Sequence, residues 1–213
     1  AGSLDGRTAL PNGVSQWITS PEARADGHAW RKRAGALLTG IGTVLEDDPR
    51  LDVRLVPTDR QPVRVVVDAR LQTPAAARIL LPPGVVWIYT AAEPAAGADR
   101  RAELQAAGAT VIDCPGAHGK VDLAAMLRDL ARREVNELHV EAGHKLNGSF
   151  LREGLVDELL IYLAPRLLGE GAGLAALGSF EGLEQAPGFD FLDVQRIGPD
   201  LRLRARAPGR APF

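Results

Sequence analysis

Two glycine-containing segments hold the residues whose types and spacing could do chemistry. The first, residues 37–51 (LLTGIGTVLEDDPRL), runs from apolar residues through Gly40 and Gly42 into a short helical pattern. Free amides at a helix N-terminus and the helix dipole favour a phosphate, and glycine lets a ligand approach the backbone closely. The spacing is not GxGxxG, so it predicts an anion-binding turn that differs from the standard Rossmann fingerprint.

Three consecutive acids, Glu46, Asp47 and Asp48, end this first segment. Pro49 disfavours helical geometry at Asp48, which limits the helix to about two turns and places the acids at its carboxyl end. Negative charge there opposes the helix dipole. The arrangement favours a functional role for these acids, and a solvated acidic turn is the alternative.

The second segment, residues 139–149 (HVEAGHKLNGS), also leaves an apolar strand pattern and enters a helical pattern through Gly143. In open α/β sheets, ligands lie beyond the carboxyl ends of the strands, where both turns would fall. Two such turns can hold two parts of one extended ligand, so the pair favours a dinucleotide. Glu141 ends its strand and is expected to face the same crevice, with capping of the next helix as the alternative.

Other chemistries have weaker support. His139 and His144 are five residues apart across a strand end, and Cys114 and His118 are separated by Pro-Gly-Ala, so neither pair predicts a zinc site and no metal is expected. No GxSxG elbow surrounds Ser3, Ser15 or Ser179. Arg31 and Arg54 could bind a phosphate bidentately, with solvated surface arginines as the alternative.

Composition narrows the class of protein. The chain has 213 residues, of which 46% are hydrophobic, and its net charge of −2 gives no general attraction to nucleic acid or to an anionic membrane. No apolar run approaches the length that spans a bilayer. The one cysteine, Cys114, fits a reducing compartment. We therefore expect a cytoplasmic enzyme or binding protein.

The elements that must position these segments alternate between strand and helix patterns. Predicted strands and helices lead to a hairpin over 189–197 and 201–207. The predicted strands are 15–19, 36–39, 63–68, 85–90, 110–113, 137–141 and 158–164, and the predicted helices are 21–33, 99–107, 122–133 and 146–153. This order predicts an α/β fold with a mostly parallel central sheet, flanking helices and an antiparallel edge. The glycine-rich stretch 169–188 is interpreted as a surface excursion or a mobile lid.

Motifs spread along the chain resemble one family. They are Ser3-Leu4-Asp5-Gly6-Arg7, Ser15-Gln16-Trp17-Ile18-Thr19, Gly42-Thr43-Val44 with Asp47-Asp48-Pro49, Val140-Glu141-Ala142-Gly143, and Gly154-Leu155-Val156-Asp157-Glu158 with Ala164-Pro165. In this order they resemble the reductase half of the bifunctional riboflavin-biosynthesis deaminase/reductase. The resemblance implies a dihydrofolate-reductase-like fold, NADPH as cofactor, and reduction of 5-amino-6-(5-phosphoribosylamino)uracil to its ribitylamino product. It also implies one reductase domain over residues 1–213, without the deaminase domain and its zinc signature.

The resemblance assigns ligands residue by residue. It implies that NADPH contacts Ala1, Trp17, Thr43, Asp47, Gly143, His144, Lys145, Leu146, Asn147, Gly148 and Ser149. It implies that the substrate contacts Ser15, Arg31, Leu51, Arg54 and Glu141. Arginines suit a ribose 5′-phosphate, and a carboxylate suits amino or hydroxyl donors. Among these residues, Glu141 and Asp47 are hypothesised to orient the substrate or to deliver a proton.

Two further functions remain open at this point. The chain could bind nucleotide or mediate dimerisation without catalysis, or it could be a related pterin or folate reductase. Arginines placed for a sugar phosphate argue against the pterin and folate reductases. A small-molecule substrate and a homodimer are expected, and neither a nucleic acid nor a membrane is an expected partner.

Overall fold

The chain forms two compact units in a computed structural model that describes residues 1–81 and 83–210. The central unit is His28–Gly143, and the terminal unit comprises residues 1–27 and 144–210. One reductase domain over residues 1–213 stays a prediction, and the last three of those residues lie outside the described part of the chain. No helix of the described residues is long and apolar enough to cross a membrane.

The central unit is built on a five-stranded sheet in which every pair of neighbours is parallel. The strands are β3 (Ala36–Gly40), β4 (Val63–Val67), β5 (Val86–Thr90), β6 (Ala109–Asp113) and β7 (Leu138–Val140), and their order across the sheet is β6-β5-β4-β3-β7. Branched apolar residues such as Val65 and Val66 are fully buried, as expected for a parallel sheet covered on both faces. The predicted mostly parallel sheet is confirmed.

Helices connect these strands close to the predicted positions. They are α1 (Pro21–Arg33), which begins in the terminal unit, α2 (Ile41–Asp47), α3 (Ala98–Ala106) and α4 (Leu123–Arg132). Pro21 stands at the first position of α1, where its missing N–H costs nothing. Asp122 caps α4 by accepting a hydrogen bond from the Ala125 amide at 2.8 Å. The buried Leu123, Met126 and Leu130 of α4 recur at helical spacing.

The terminal unit contains a second sheet of four strands, which are β1 (Gly2–Ser3), β8 (Glu158–Ala164), β10 (Asp190–Ile197) and β11 (Asp200–Arg206). Their order across the sheet is β1-β8-β11-β10. Separately, β2 (Arg7–Ala9) pairs with β9 (Ala172–Gly173). The predicted hairpin is β10–β11, but β11 pairs with β8 instead of extending the parallel sheet. The unit's helix, α5 (His144–Arg152), begins two residues earlier than predicted.

The strand predicted over residues 15–19 is wrong, because these residues form turns and bends. Leu10 donates its amide to Val14 at 2.9 Å, which folds the preceding chain back on itself. Trp17 is 59% exposed, so the segment has no buried apolar face to hold it in a sheet.

Candidate functional site

The site begins at the short helix α2, which the sequence predicted. Gly40 precedes α2 in an extended conformation, and Asp48 ends it in the left-handed region with φ of 42°. The Asp48 carboxylate accepts the Arg78 amide at 2.8 Å, so this acid ties the helix end to the following loop. Asp47 is exposed, and partial desolvation together with the neighbouring Glu46 raises its pKa.

The carboxyl ends of β3 and β7 meet at the switch point of the sheet. The chain runs outward from β3 through β4 and β5 to β6, and then returns to β7 on the other side of β3. Ligands of open α/β sheets bind at such a reversal of strand order. A Cβ on Gly143 would lie 3.8 Å from the Thr43 hydroxyl, so the turns after β3 and β7 are neighbours there.

Glu141 stands at this switch point and holds Arg31. The Glu141 amide donates to the Leu38 carbonyl at 2.8 Å, which continues the β3–β7 ladder by one residue. Nε and Nη2 of Arg31 each donate to a Glu141 carboxylate oxygen at 2.6 Å. Burial acts to raise the pKa of Glu141, but the charge and hydrogen bonds of Arg31, with a smaller contribution from His139, hold it well below its usual range. Glu141 is therefore an ionised partner of Arg31 at neutral pH.

His28 and Asp52 complete the cluster, and the sequence analysis missed both. Nη1 of Arg31 donates to the Asp52 carbonyl at 2.9 Å and lies 3.3 Å from His28 Nε2. Nδ1 of His28 accepts the Arg54 amide at 3.1 Å. Desolvation, followed by the charges of Arg31 and Arg54, lowers the pKa of His28 to about 4. The spacing of His28 and Arg31, three residues apart on one helix, was the available signal.

The Asp52 side chain binds two further arginines. Its oxygens accept from Arg50 Nε at 2.9 Å and from Arg54 Nη1 at 2.5 Å, and the side chain is 5% exposed. Burial acts to raise the pKa of Asp52, but these arginines outweigh it and lower the pKa. Three arginines thus share two carboxylates, which leaves one positive charge to attract an anion.

Leu51 cannot present its side chain to a ligand. It is 3% exposed and belongs to the core with Val44 and Leu71. Its φ of 46° lies in the left-handed region, which turns the backbone between Arg50 and Asp52. Any contact of Leu51 with a substrate would have to use its backbone.

Other predicted ligand residues belong to the terminal unit. Ala1 is exposed and Ser15 is half-buried. Trp17 carries the Arg24 guanidinium 4.4 Å from its ring centroid, and both residues line a cleft of about 370 Å³ together with Pro165. The exposed indole is available for stacking, so Trp17 need not be a core aromatic.

The second predicted segment is divided at the unit boundary, and residues 144–149 form the start of α5. Asn147 Nδ2 donates to the Leu174 carbonyl at 3.1 Å. A Cβ on Gly148 would fall on the Ala176 carbonyl, so that glycine allows close backbone approach. These contacts direct Asn147 and Gly148 toward the chain's own residues 174–176. The ligand roles of 144–149 stay predictions.

Solved structures show the class of protein to which this fold belongs. The Acinetobacter baumannii RibD structure, form 2, matches with a TM-score of 0.82 and 34% identity, covering 97% of this chain and 55% of that chain. The Saccharomyces Rib7 riboflavin biosynthesis reductase matches with a TM-score of 0.71 at 20% identity, which bears on the fold alone. The chain is an α/β protein of the dihydrofolate-reductase-like class, as predicted.

Within that class, the chain belongs to the RibD C-terminal domain family, whose model matches residues 1–203. It is 40% identical over 214 residues to the riboflavin biosynthesis protein RibD of Escherichia coli, covering 94% of this chain and 56% of that relative. It is 30% identical over 207 residues to the 5-amino-6-(5-phosphoribosylamino)uracil reductase of Buchnera aphidicola, covering 91% of this chain and 97% of that relative. The chain thus spans about half the length of the RibD relatives it matches.

Proposed function

We propose that this chain reduces 5-amino-6-(5-phosphoribosylamino)uracil to the ribitylamino product with NADPH. The observation that carries this proposal is its 97% coverage of a relative that is named as this reductase and has a similar length. The arginine cluster of the central unit supports it, because guanidinium groups suit a ribose 5′-phosphate. We place the enzyme in the cytoplasm.

The switch point of the parallel sheet supports the cofactor proposal. Gly42 and Gly143 are both exposed there; a Cβ on Gly42 would meet no atom within 4 Å, and one on Gly143 would meet only the Thr43 hydroxyl. The central unit would hold NADPH through Thr43, Asp47 and the backbone at Gly143. The resemblance adds Ala1, Trp17 and residues 144–149. When bound, NADPH supplies the hydride.

The remaining steps belong to the protein's own side chains. Arg54 would bind the phosphate, and Arg31 with Glu141 would orient polar groups of the substrate near the switch point. Glu141 is ionised and engaged with Arg31, so it is a poor proton donor at neutral pH. Asp47, whose pKa is raised, is the better of the two acids for holding a proton that the reduction consumes. Ser15 and the backbone at Leu51 are the other proposed substrate contacts.

The test is the loss of NADPH absorbance when the purified chain receives freshly deaminated substrate. Substrate-dependent oxidation is expected, together with a preference for NADPH over NADH. Glu141→Gln should lower kcat at least about tenfold, because it removes the charged partner of Arg31. The exposed Glu93→Gln is the control. Binding of NADPH without turnover by a folded chain would instead support the non-catalytic function.

We also propose a homodimer. Strand β10 is the last strand of its sheet, and its residues Phe191 and Val194 are 70% and 55% exposed. A strand edge complements a second copy of itself in antiparallel pairing, because the same amide and carbonyl groups are offered by both chains.

A further inference from the structure

We propose that Arg50 joins Arg54 in a two-guanidinium site for the substrate's 5′-phosphate, and that the buried Asp52 carboxylate positions both. The identity of the substrate rests on the proposed function. Arg54 was assigned to the substrate by resemblance, whereas the resemblance assigns neither Arg50 nor Asp52 to a ligand. The three residues follow one another at every second position, with Leu51 in between turning the backbone.

The geometry of Asp52 fixes both arginines. One carboxylate oxygen accepts from Arg50 Nε at 2.9 Å and the other from Arg54 Nη1 at 2.5 Å. The Asp52 side chain is 5% exposed, whereas the arginines are 44% and 45% exposed. A single buried anion therefore holds two cations at the surface, and the two guanidinium groups are arranged before any ligand arrives.

Both guanidinium groups keep donors for a ligand. Within the described residues, the two terminal nitrogens of Arg50 and Nε and Nη2 of Arg54 have no hydrogen-bond partner. The two arginines and the aspartate together carry a net charge of +1. A phosphate monoester bound between the two guanidinium groups would offset the repulsion between them. Arg31 has fewer donors to offer a ligand, because its guanidinium nitrogens already contact Glu141, the Asp52 carbonyl and His28.

The site adjoins the cluster at the switch point. The Asp52 carbonyl accepts from Arg31, which binds Glu141, and the Arg54 amide donates to His28. A substrate whose phosphate lies at Arg50 and Arg54 would therefore have its sugar close to Arg31 and Glu141. This order of contacts favours the substrate's phosphate over the 2′-phosphate of NADPH.

The first experiment compares Arg50→Ala with the wild type during turnover. We expect kcat/KM for the phosphorylated substrate to fall about tenfold, mainly through KM, and that for its dephosphorylated analogue to change less than twofold. Arg50→Lys should recover part of the loss. Asp52→Asn should also raise the substrate KM, because the arginines lose the charge that holds them. Arg128→Ala, an exposed arginine on α4, is the control.

The second experiment measures binding of ribose 5-phosphate and ribose by calorimetry, without NADPH. Wild-type chain should bind only the phosphorylated sugar, and Arg50→Ala should weaken that binding about tenfold. This result would stand even if the wild type showed no turnover, so failure of the proposed function is distinguishable. Unchanged binding in Arg50→Ala would overturn the inference. So would an increase in the NADPH KM with the substrate KM unchanged, which would assign Arg50 to the cofactor.

Discussion

His28 is buried beside the positive charges of Arg31 and Arg54, and this explains why it stays neutral. Its Nδ1 accepts the Arg54 amide, and its Nε2 faces the Arg31 guanidinium at 3.3 Å. The side chain is 5% exposed, so a proton on the ring would be poorly solvated and would face two positive groups. The neutral imidazole therefore lies between the Arg31 guanidinium and the backbone amide of Arg54.

This environment predicts a loss of stability in mild acid. The pKa of His28 is about 4 in the folded chain, against 6.5 for an unperturbed histidine in the unfolded chain, so the unfolded chain binds more protons between these values. The stability that depends on a neutral His28 is therefore fully present above pH 6.5, and it is lost as the pH falls toward 4. Between pH 7 and pH 5, His28 should cost about 2 kcal/mol of unfolding free energy.

Urea unfolding at both pH values measures this contribution. His28→Gln should lose about 2 kcal/mol less than the wild type on acidification, because glutamine does not titrate. His118→Asn is the control, since His118 is exposed and asparagine tolerates its positive φ. Equal losses in wild type and His28→Gln would refute the argument.

Single residues of the site were predictable only where their chemistry shows in the sequence. Glu141 follows a strand pattern, Arg31 and Arg54 were candidates for binding a phosphate, and the resemblance assigned these two arginines to the substrate. Asp52 was missed because its importance depends on burial, which brings Arg50 and Arg54 to one carboxylate. Leu51, by contrast, was assigned to the substrate although its side chain is buried, because motif matching cannot distinguish a backbone contact from a side-chain contact.

At the scale of elements, α5 depends on close contact with the chain that follows it. The Ala176 amide donates to the His144 carbonyl at 2.9 Å, and Arg152 donates to the Ala176 carbonyl. Gly148 lies against this same residue, so an added methyl group would collide with backbone. The stretch 169–188 is thus anchored to α5 by residues 174–176, which favours the surface excursion over the mobile lid.

Two helical glycines give a matched test of this packing. Gly148→Ala should destabilise the chain by about 1–3 kcal/mol, because the backbone at Ala176 must move. Gly27→Ala in α1 should be stabilising by about 0.5–1 kcal/mol, because a Cβ there meets no atom within 4 Å. Thermal unfolding of both variants measures the difference. Stabilisation by Gly148→Ala would contradict the packing of α5 on residues 174–176.

Elements with a strong local pattern were predicted well, and those that depend on partners were not. Helix α1 has its proline start, α4 has its Asp122 cap and apolar spacing, and both lie close to the predicted bounds. The hairpin was predicted as an edge of the parallel sheet, because the sequence shows two strands but not that β11 pairs with β8. Residues 15–19 were predicted as a strand, but they pair with no strand among the described residues.

At the scale of the whole molecule, exposed apolar surface is unevenly distributed. Most of the exposed large apolar side chains among the described residues belong to the terminal unit, whereas the main apolar cluster lies in the central unit. Val194 on β10 lies opposite Leu203, which in turn lies opposite Ile161 on β8. This apolar row lies next to the edge of β10 that pairs with no other described strand, and it is suited to contact with a second chain.

The row predicts that Val194→Lys disrupts a homodimer. A lysine there would place a charge within the contact and on the edge that two β10 strands would share, and charged edge residues oppose strand pairing. The wild type should sediment as a dimer, and Val194→Lys should shift toward the monomer with its circular dichroism unchanged. Leu183→Lys is the control, since Leu183 is 93% exposed and lies outside every strand of the described residues. A monomeric wild type would exclude the homodimer. A dimer that resists Val194→Lys but is broken by Leu183→Lys would place the interface elsewhere.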